Sequence, residues 1–597
     1  MDREQSTRLP FAGAPSPSSG GAPGIEQPRS SDRPYVWLLV FLAAGLAVRL
    51  IRYLLNFPLW HDELMLVANF VEKDALGLLG LLERKQVAPP GFLLAEFAII
   101  QQFGLSEQAL RLLPFLAALV SLPLVGRIAW LALQPTDSSK SAPTGPRADE
   151  RMWGVVLTVG LFAASYYPLR YACEVKPYGI DLTTSALLLW LALEWRRSPN
   201  NPLWPLALIV ATPVSVATSF TAVLAAGAVT AALAAWAIVS FRPWRVGAAT
   251  ILGITLIASF LILRDFTTQP GQAALSGELT QYWADSFPPH TPGLGLLIWL
   301  FRSHTSELLA YPVGGQNGAS LVTAICVVLG VVHLLRTRRT LPVAIFATML
   351  ALLFVAAWLR KYPYGGHTRL VLFLAPLVCL LAAVGVQTLL AHLSPPHQGR
   401  LRGFLLTGLL VLIGASAVRD VTRPWKSEVD ARHRQFARAF WAIDPGDGWQ
   451  TVSLSRHRSQ TSAPQLCDFA YRVERALSLP APIPELGRLI PPELSDQPLR
   501  CVVYQNATAP RHEGDYQVWR RAVAESHTVV AIDQYALPVL NDQLPDLYEV
   551  YWLVPNGRVN PHPGTPSEVA GQTAQRTRLA VEPPPPVRIA AVEGRRL

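Results

Sequence analysis

The chain has 597 residues, of which 51% are hydrophobic and only 15% are charged, and its mean hydropathy is +0.29. This leaves too little polar surface to cover an ordinary soluble globule. The net charge of +10 does not indicate a nucleic-acid partner, because the basic residues are spread over short loops and form no single stripe. We therefore expect an integral membrane protein that does not bind nucleic acid.

Residues 1–33 are rich in Pro, Ser and Gly and precede the first apolar run. This composition predicts a disordered segment. Its arginines place it in the cytoplasm by the positive-inside rule. Since it lacks the pattern of a cleavable signal, we expect the first apolar run to be a retained anchor.

Residues 34–418 are predicted to form the transmembrane domain, an all-α polytopic bundle. Its apolar runs are long enough to cross a hydrocarbon core of ~30 Å as helices, and we count about eleven. They lie near residues 35–55, 112–133, 152–170, 178–195, 203–219, 221–241, 247–263, 319–335, 341–358, 370–390 and 403–418. The apolar stretch 90–103 contains Glu96 near its middle, and we interpret it as an interfacial, amphipathic helix of the first outer loop.

Basic residues in short loops predict the topology, since they mark cytoplasmic connections. These residues are Arg196, Arg197, Arg242, Arg245, Arg336, Arg338, Arg339, Arg400 and Arg402. The opposite face then receives residues 56–110, 170–177, 264–318, 360–369 and everything after Arg419. We expect this face to be extracytoplasmic, in a bacterial-type inner (plasma) membrane, and to carry all the candidate reactive groups.

The tail after the last span has a different composition. Short β-branched or aromatic runs at 449–454, 500–504, 527–532 and 548–554 are bounded by turn residues, so residues 419–556 are predicted to form a small extracytoplasmic α/β domain. Residues 557–597 turn to Pro, Gly, Arg and Glu, which predicts a disordered end. Five cysteines are too few for a disulfide scaffold, although Cys467 and Cys501 could pair.

Two adjacent acids, Asp62 and Glu63, follow the first apolar run by a few residues. Charged groups are costly near hydrocarbon, so such a pair indicates a reactive centre at the lipid–water boundary. A carboxylate beside a bound hydroxyl can accept its proton, and Asp62 suits this role of general base. Glu63 would orient it or bind a metal. Alternatively, the pair only caps or charges the first turn of an interfacial helix.

Cations recur on the outer face, where the positive-inside rule disfavours them, and so predict an anionic partner. Arg111, at the outer end of a span, is placed to bind a phosphate; its alternative is a snorkelling side chain. The turn 170–178 contains Glu174, Lys176 and Tyr178, and the turn 360–369 contains further basic residues. These are Arg360, Lys361, His367 and Arg369.

Aromatic residues near these charges can stack on a sugar ring, although most interfacial Trp and Tyr side chains form belts without a ligand. The candidates are Trp60, Tyr178, Tyr282, Trp283, Tyr362 and Tyr364. A divalent metal held by Asp62, Glu174 and His367 is left open, since no ligand spacing of recognised form occurs. No other cofactor is expected.

Four short motifs in a fixed order resemble the C-type glycosyltransferases, and within them the protein O-mannosyltransferase and lipid A aminoarabinose transferase group. The resemblance spans roughly residues 35–390. The motifs are His61-Asp62-Glu63, Ala88-Pro89-Pro90-Gly91-Phe92, Phe103-Gly104 followed by Ala109-Leu110-Arg111-Leu112-Leu113-Pro114, and the turn from Tyr171 to Tyr178. These enzymes are integral membrane proteins that use polyprenyl-phosphate sugars.

The resemblance implies a role for each candidate residue. Asp62 would be the catalytic base with Glu63 beside it, and Arg111 and Lys176 would bind the donor phosphate together with the second anion-binding loop that carries Arg360 and Arg369. The predicted substrate contacts are His61, Glu174, Tyr178, Tyr364 and His367. The implied partners are a polyprenyl-phosphate sugar, a lipid, protein or glycan acceptor, and the bilayer.

Two other classes of function compete with this interpretation. A transporter or flippase of an anionic lipid-linked sugar would also have many spans and outer basic groups, but transporters usually place ionisable residues near mid-membrane and show related halves. A non-catalytic membrane scaffold is the second alternative. The concentration of acids, bases and aromatic groups on one face favours an enzyme.

Overall fold

The structure is a computed structural model. It describes residues 34–134, 148–267, 272–289, 293–315, 317–441, 449–455, 464–477, 496–505, 513–537, 546–557 and 587–590. The N-terminal segment 1–33, predicted to be disordered, lies outside the described residues.

Helices account for most of the described chain up to residue 422. They are α1 (Pro34–Leu54), α2 (His61–Glu72), α3 (Pro90–Phe103), α4 (Glu107–Ala132), α5 (Ala148–Ala163), α6 (Tyr166–Arg170), α7 (Tyr178–Arg197), α8 (Leu203–Thr218), α9 (Ala222–Val239), α10 (Pro243–Thr267), α11 (Gln272–Tyr282), α12 (Leu294–Thr305), α13 (Ala319–Arg336), α14 (Thr340–Trp358), α15 (Ala375–Leu390) and α16 (Pro395–Thr422). Short 3₁₀ helices lie at Gly77–Leu79, Tyr171–Cys173, Ala284–Ser286 and Thr368–Leu374.

Each predicted span corresponds to one of these helices or to a helix broken by a bend. Within the described residues, eight helices are long and apolar enough to cross a membrane, and a ninth crossing results if the bent pair Asp149–Ala163 and Tyr166–Cys173 is one span. The predicted count of about eleven is higher because it includes α7 and α8. Helix α8 has only 16 residues, and α7 carries the charged residues Asp181 and Glu194.

Helix α15 lies at the centre of the bundle, where nearly all its side chains are buried. It packs closely on α13. A Cβ atom on Gly385 would collide with the carbonyl oxygen of Cys326, and one on Gly330 would collide with that of Leu381. Small residues at this contact let two backbones approach closely, as is typical of helix pairs in membranes.

Helix α3 differs from the amphipathic helix that its sequence suggests. Glu96 is completely buried, and α3 packs against α4 and α8. Gly91 permits this approach, because a Cβ atom there would lie 2.8 Å from the carbonyl oxygen of Ala217. Glu96 therefore faces protein and not solvent.

The tail forms a small α/β unit. Its helices are α17 (Glu428–Phe440), α18 (Pro464–Glu474) and α19 (Glu513–Ser526), and its strands are β1 (Gln450–Ser455), β2 (Leu499–Gln505), β3 (His527–Leu537), β4 (Asp546–Pro555) and β5 (Val587–Ala590). The strand order is β1-β2-β4-β3-β5. Strands β1 and β2 are parallel, and the other neighbouring strands are antiparallel. All four predicted strands are present, and β5 adds a strand within the segment that was predicted to be disordered.

The predicted pairing of Cys467 with Cys501 is wrong, because both thiols are free and buried. Cys467 packs with Phe436 and Tyr471 on the α17 and α18 side of the sheet. Cys501 packs with Trp519 of α19. The sheet lies between the two cysteines.

The segments predicted to share the outer face contact one another at one end of the bundle. Lys85 pairs with Glu278 at 2.6 Å, and the backbone N–H of Tyr364 donates to the Ser286 carbonyl at 2.8 Å. Helix α18 of the tail packs on α2. These contacts join the first outer loop, the 272–289 segment, the 360–369 turn and the tail into one surface around Asp62.

Candidate active site

Asp62 lies in the first turn of α2, and its side chain is 29% exposed. Its Oδ1 atom is 3.2 Å from Nζ of Lys176, and its Oδ2 atom is 3.8 Å from a terminal nitrogen of Arg369. The three residues come from the first outer loop, the 170–178 turn and the 360–369 turn. The structure therefore brings together three of the predicted site residues.

The charge of Asp62 is set by two opposing effects. Burial raises the pKa of this carboxyl, but Lys176 and Arg369 outweigh burial and hold its pKa below the ordinary value. A carboxylate in this state is ionised at neutral pH. Asp62 can therefore accept a proton from a group placed at its exposed side.

Lys176 reaches Asp62 from the turn between the 3₁₀ helix Tyr171–Cys173 and α7. It is buried, and its Nζ also donates to Oε1 of Gln86 at 2.7 Å. Burial lowers the pKa of Lys176, while Asp62 opposes this shift. Gln86 was not predicted as a site residue, and its only sequence signal is its place just before the Ala88-Pro89-Pro90 motif.

Arg369 stands between two aromatic rings. Its guanidinium carbon lies 5.8 Å from the ring centre of Tyr178 and 5.3 Å from that of Trp283, distances typical of cation–π contacts. Trp283 also meets the exposed ring of His367 edge-on at 5.9 Å. Two rings that were predicted to stack on a sugar thus orient a cation of the site.

The 360–369 turn depends on glycine for this placement. Gly366 has φ +72°, and a Cβ atom on it would collide with Oγ of Ser286. Glycine adopts this conformation without the penalty that other residues incur. The turn can therefore lie directly on the 3₁₀ helix Ala284–Ser286, close to Trp283.

Arg360 and Tyr364 support the turn. Arg360 donates to the Pro288 carbonyl at 2.9 Å and covers the ring of Phe287. Tyr364 is buried, and its hydroxyl lies 3.2 Å from Nε2 of His304. These contacts hold the turn against residues 285–305, and the predicted roles of Arg360 and Tyr364 as ligands stay predictions.

Glu63 points away from Asp62 into the protein. It accepts hydrogen bonds from the backbone N–H of Val175 at 2.8 Å and from that of Trp60 at 3.1 Å. The second contact caps the start of α2, which is the alternative that the sequence left open for this acidic pair. Glu63 joins the first outer loop to the 170–178 turn, while Asp62 remains at the surface.

Arg111 is the third partner of Glu63, at 3.2 Å from Oε2. It also donates to the Phe57 carbonyl, and it is only 3% exposed. Its described contacts hold α2 and the first loop against α4. These contacts give Arg111 a structural role, and its predicted role as a ligand of the donor phosphate stays a prediction.

One cation of the site comes from the tail and was missed by the sequence analysis. Nζ of Lys426 lies 2.9 Å from Oε1 of Glu174 and 3.3 Å from the ring centre of Trp60. The available signal was the cluster Arg423-Pro424-Trp425-Lys426, in which basic and aromatic residues follow a span on the outer face. That is the same exception to the positive-inside rule that marked the two turns.

His61 faces a cleft between α2 and the tail, which it lines together with Leu64, Asp430 and Leu466. Burial, with Glu63 as a smaller contribution, raises the pKa of Asp430 to about 7. The cleft adjoins the residue before Asp62.

A metal site was left open through Asp62, Glu174 and His367. Among the described residues, no group of three or more His, Cys, Asp or Glu side chains is gathered as a metal ion would require. Asp62 and Glu174 each face a lysine instead.

No family model and no curated protein matches the sequence. The structure is similar to that of ArnT from Cupriavidus metallidurans bound to undecaprenyl phosphate, with 13% identity, a TM-score of 0.43 and coverage of 86% of this chain and 98% of that chain. The apo state of ArnT is similar with 12% identity, a TM-score of 0.46 and coverage of 86% of this chain and 98% of that chain. The oligosaccharyltransferase AglB from Archaeoglobus fulgidus, in complex with an inhibitory peptide and a dolichol-phosphate, is similar with 9% identity, a TM-score of 0.42 and coverage of 88% of this chain and 76% of that chain. Because these identities and TM-scores are low, the function proposed below rests on the residues of this chain.

Proposed function

We propose that this chain is a membrane glycosyltransferase that moves a sugar from a polyprenyl-phosphate donor to an acceptor hydroxyl on the extracytoplasmic side. The observation that carries the proposal is Asp62, a partly exposed carboxylate with Lys176 and Arg369 beside it at 3.2 and 3.8 Å. A proton acceptor next to two fixed cations suits a reaction in which a hydroxyl loses a proton and a phosphate leaves.

The position of the site supports a lipid-linked donor. Asp62, Lys176 and Arg369 lie next to the ends of apolar helices, in a chain with at least eight helices that can cross a membrane. A phosphate on a lipid chain would reach the cations at this depth. The motifs support the same donor class, since Lys176 of one motif contacts Asp62 of another and Gln86 beside a third.

In the proposed reaction the acceptor oxygen attacks the anomeric carbon of the donor sugar. Asp62 takes the hydroxyl proton, the new carbon–oxygen bond forms, and the bond from the anomeric carbon to the phosphate oxygen breaks with its electron pair moving to the phosphate. Lys176 and Arg369 stabilise the charge that develops on the leaving phosphate, an electrostatic task suited to cations fixed in a partly dry site. Because polyprenyl phosphate is a stable anion, no strong general acid is needed.

A single displacement inverts the configuration at the anomeric carbon. NMR spectroscopy of the product measures this configuration directly. We expect inversion, and a product of retained configuration would contradict the single-step mechanism.

The central experiment incubates purified protein with a panel of polyprenyl-phosphate sugars and a mixture of lipid, peptide and glycan acceptors. We expect release of polyprenyl phosphate, and we expect the Asp62→Asn variant to release it about 10²–10⁴ times more slowly because it lacks the general base. The matched control is Glu278→Gln, which removes an exposed carboxylate from the same face and should keep full activity.

Two outcomes would contradict the proposal. Equal release by the wild-type and Asp62→Asn proteins would remove Asp62 from the mechanism. Movement of intact lipid-linked sugar between the leaflets of a vesicle, unaffected by Asp62→Asn and without phosphate release, would favour the transporter instead.

A further inference from the structure

The segment between α16 and α17 passes over the active site and places Lys426 there. The Lys426 side chain is only 11% exposed and lies 2.9 Å from a carboxylate oxygen of Glu174. Its ammonium nitrogen also lies 3.3 Å from the ring centre of Trp60. Lys426 is therefore held by one charged and one aromatic partner from the membrane domain.

Both partners of Lys426 are two residues away from the proposed catalytic groups. Trp60 precedes Asp62 at the start of α2, and Glu174 precedes Lys176 in the tight turn where the Lys176 backbone N–H donates to the Glu174 carbonyl at 2.7 Å. Lys426 of the tail thus contacts both the segment that carries Asp62 and the segment that carries Lys176.

The buried carboxylate of Glu174 is stabilised by a nearby cation, here Lys426. Glu174 is buried, and burial raises the pKa of its carboxyl while Lys426 opposes this shift. Glu63 is a second carboxylate close enough to raise the same pKa. Without Lys426, Glu174 would either take up a proton or compete with Asp62 for Lys176.

The segment that carries Lys426 is anchored on both sides. Before it, Asp420 of α16 pairs with Arg52 of α1 at 2.7 Å. After it, Arg434 of α17 donates to the Asn56 carbonyl at 2.9 Å and pairs with Glu107. These buried contacts fix the path of the segment across the first outer loop, so the position of Lys426 is built into the docking of the tail.

We propose that Lys426 is a positioning residue of the active site, which neutralises Glu174 and thereby keeps Lys176 on Asp62. This inference rests on the proposed function, and it gives the tail domain a role, because the segment leading into that domain completes the site. Lys426 need not touch the substrate. It acts mainly through Glu174 on the Lys176 and Asp62 pair, and its charge has a smaller direct effect on Asp62.

The test compares four proteins in the phosphate-release assay: wild type, Lys426→Met, Lys426→Arg, and the double variant Lys426→Met/Glu174→Gln. We expect Lys426→Met to lower kcat by about tenfold or more, a loss within the range of couplings between contacting charges. The double variant should recover to within about threefold of wild type, because it no longer contains an unpaired buried carboxylate. Lys426→Arg keeps the charge and should lose little.

A pH profile separates positioning from a general loss of folding. In Lys426→Met, Asp62 shares Lys176 with Glu174 and also loses the smaller direct effect of Lys426 on its pKa, so the acid limb of kcat should move to higher pH. Arg170, which also lowers the pKa of Glu174, is unchanged in every variant. The double variant should restore most of the shift of the acid limb. Activity is expressed per monodisperse protein, measured by size-exclusion chromatography in detergent, so that a poorly folded fraction does not enter the comparison.

The results distinguish this inference from the proposed function. Full activity of Lys426→Met, or equal kcat and equal acid limbs for Lys426→Met and the double variant, would overturn the role of Lys426 while wild-type release remains dependent on Asp62. If wild-type release does not depend on Asp62, the proposed function fails, and the role of Lys426 fails with it.

Discussion

Helices α4 and α7 pack together and have a group of charged residues near each end. The two groups differ in how much of the carboxylate is exposed to solvent. At the end away from Asp62, Glu194 is almost completely buried, and one of its oxygens accepts hydrogen bonds from Arg127 and from the indole N–H of Trp190 at 3.2 Å. At the other end, Asp62 is 29% exposed and has cations at 3.2 and 3.8 Å.

This difference distinguishes an acid that stabilises the fold from one that can react. Glu194 has donors in place and little exposed surface, so it can only hold α4 and α7 together. Asp62 keeps an exposed side that a ligand can approach. A carboxylate close to a cation can act in catalysis only when part of it stays accessible to a ligand.

Replacing Glu63 should produce the largest effect on stability. Unlike its neighbour Asp62, Glu63 is buried and its carboxylate is bonded within the protein. Glu63→Gln leaves Arg111 as a buried charge without its carboxylate, and breaking such a pair costs about 3–5 kcal/mol. We expect the free energy of unfolding in detergent to fall by this amount. Glu278→Gln is the control, and an unchanged unfolding midpoint for Glu63→Gln would show that the outer end is less tightly packed than we describe.

Lys176→Met should have a smaller effect that falls on catalysis. Loss of a fixed cation opposite developing charge lowers kcat by about 10²–10³. Since Lys176 is the main group that holds the pKa of Asp62 below its ordinary value, the acid limb of the pH profile should also move to higher pH. The assay is phosphate release measured across pH, with Lys85→Met as the control for an exposed lysine of the same face.

A lower kcat with an unmoved acid limb would mean that Lys176 binds the donor without controlling Asp62. A fall in the acid limb to lower pH would contradict the electrostatic account altogether.

Glu194→Gln tests the buried carboxylate that pairs with Arg127 at the end of α4 and α7 away from Asp62. Arg127 is 42% exposed, so solvent can take over part of its hydration and the loss of unfolding free energy should be about 1 kcal/mol. Phosphate release per folded protein should stay within about twofold of wild type, because an exposed charge at the far end acts only weakly across the bundle. A tenfold loss would show that the two ends of α4 and α7 are coupled.

Asp430→Asn should have the smallest effect, and its sign depends on pH. The folded-state pKa of Asp430 is raised to about 7, above an unfolded value of about 3.9. The corresponding stability is present below about pH 3.9 and is lost as pH rises through about 7. The full change would amount to about 4 kcal/mol. Because solvent reaches this half-buried side chain and screens the effect, Asp430→Asn should raise the unfolding free energy by about 1 kcal/mol at pH 8 and by less at pH 5.

Thermal unfolding of the wild-type and Asp430→Asn proteins at the two pH values measures this difference. Greater stabilisation at pH 5 than at pH 8 would contradict the burial of Asp430 in the cleft beside His61.

The sequence alone determined the helical membrane domain and four of the five described strands of the tail, because these depend on local periodicity. A run of apolar residues such as 370–390 must be helical in hydrocarbon, and runs such as Tyr548 to Val554 favour strands wherever they pack. Asp62, Lys176 and Arg369 could be selected in the same way, since each charge stands where the membrane disfavours it.

Only the tertiary structure decided which of these charges form the site. Asp62 and Glu63 are adjacent acids that the sequence does not distinguish. Val175 and Arg111 bind the Glu63 carboxylate inside the protein, while the Asp62 side chain stays partly exposed. Lys426 lies 364 positions after Asp62 in the chain, and no local pattern relates the two. Long-range contacts set burial and pairing, and burial and pairing determine whether a charged side chain stabilises the fold or can react.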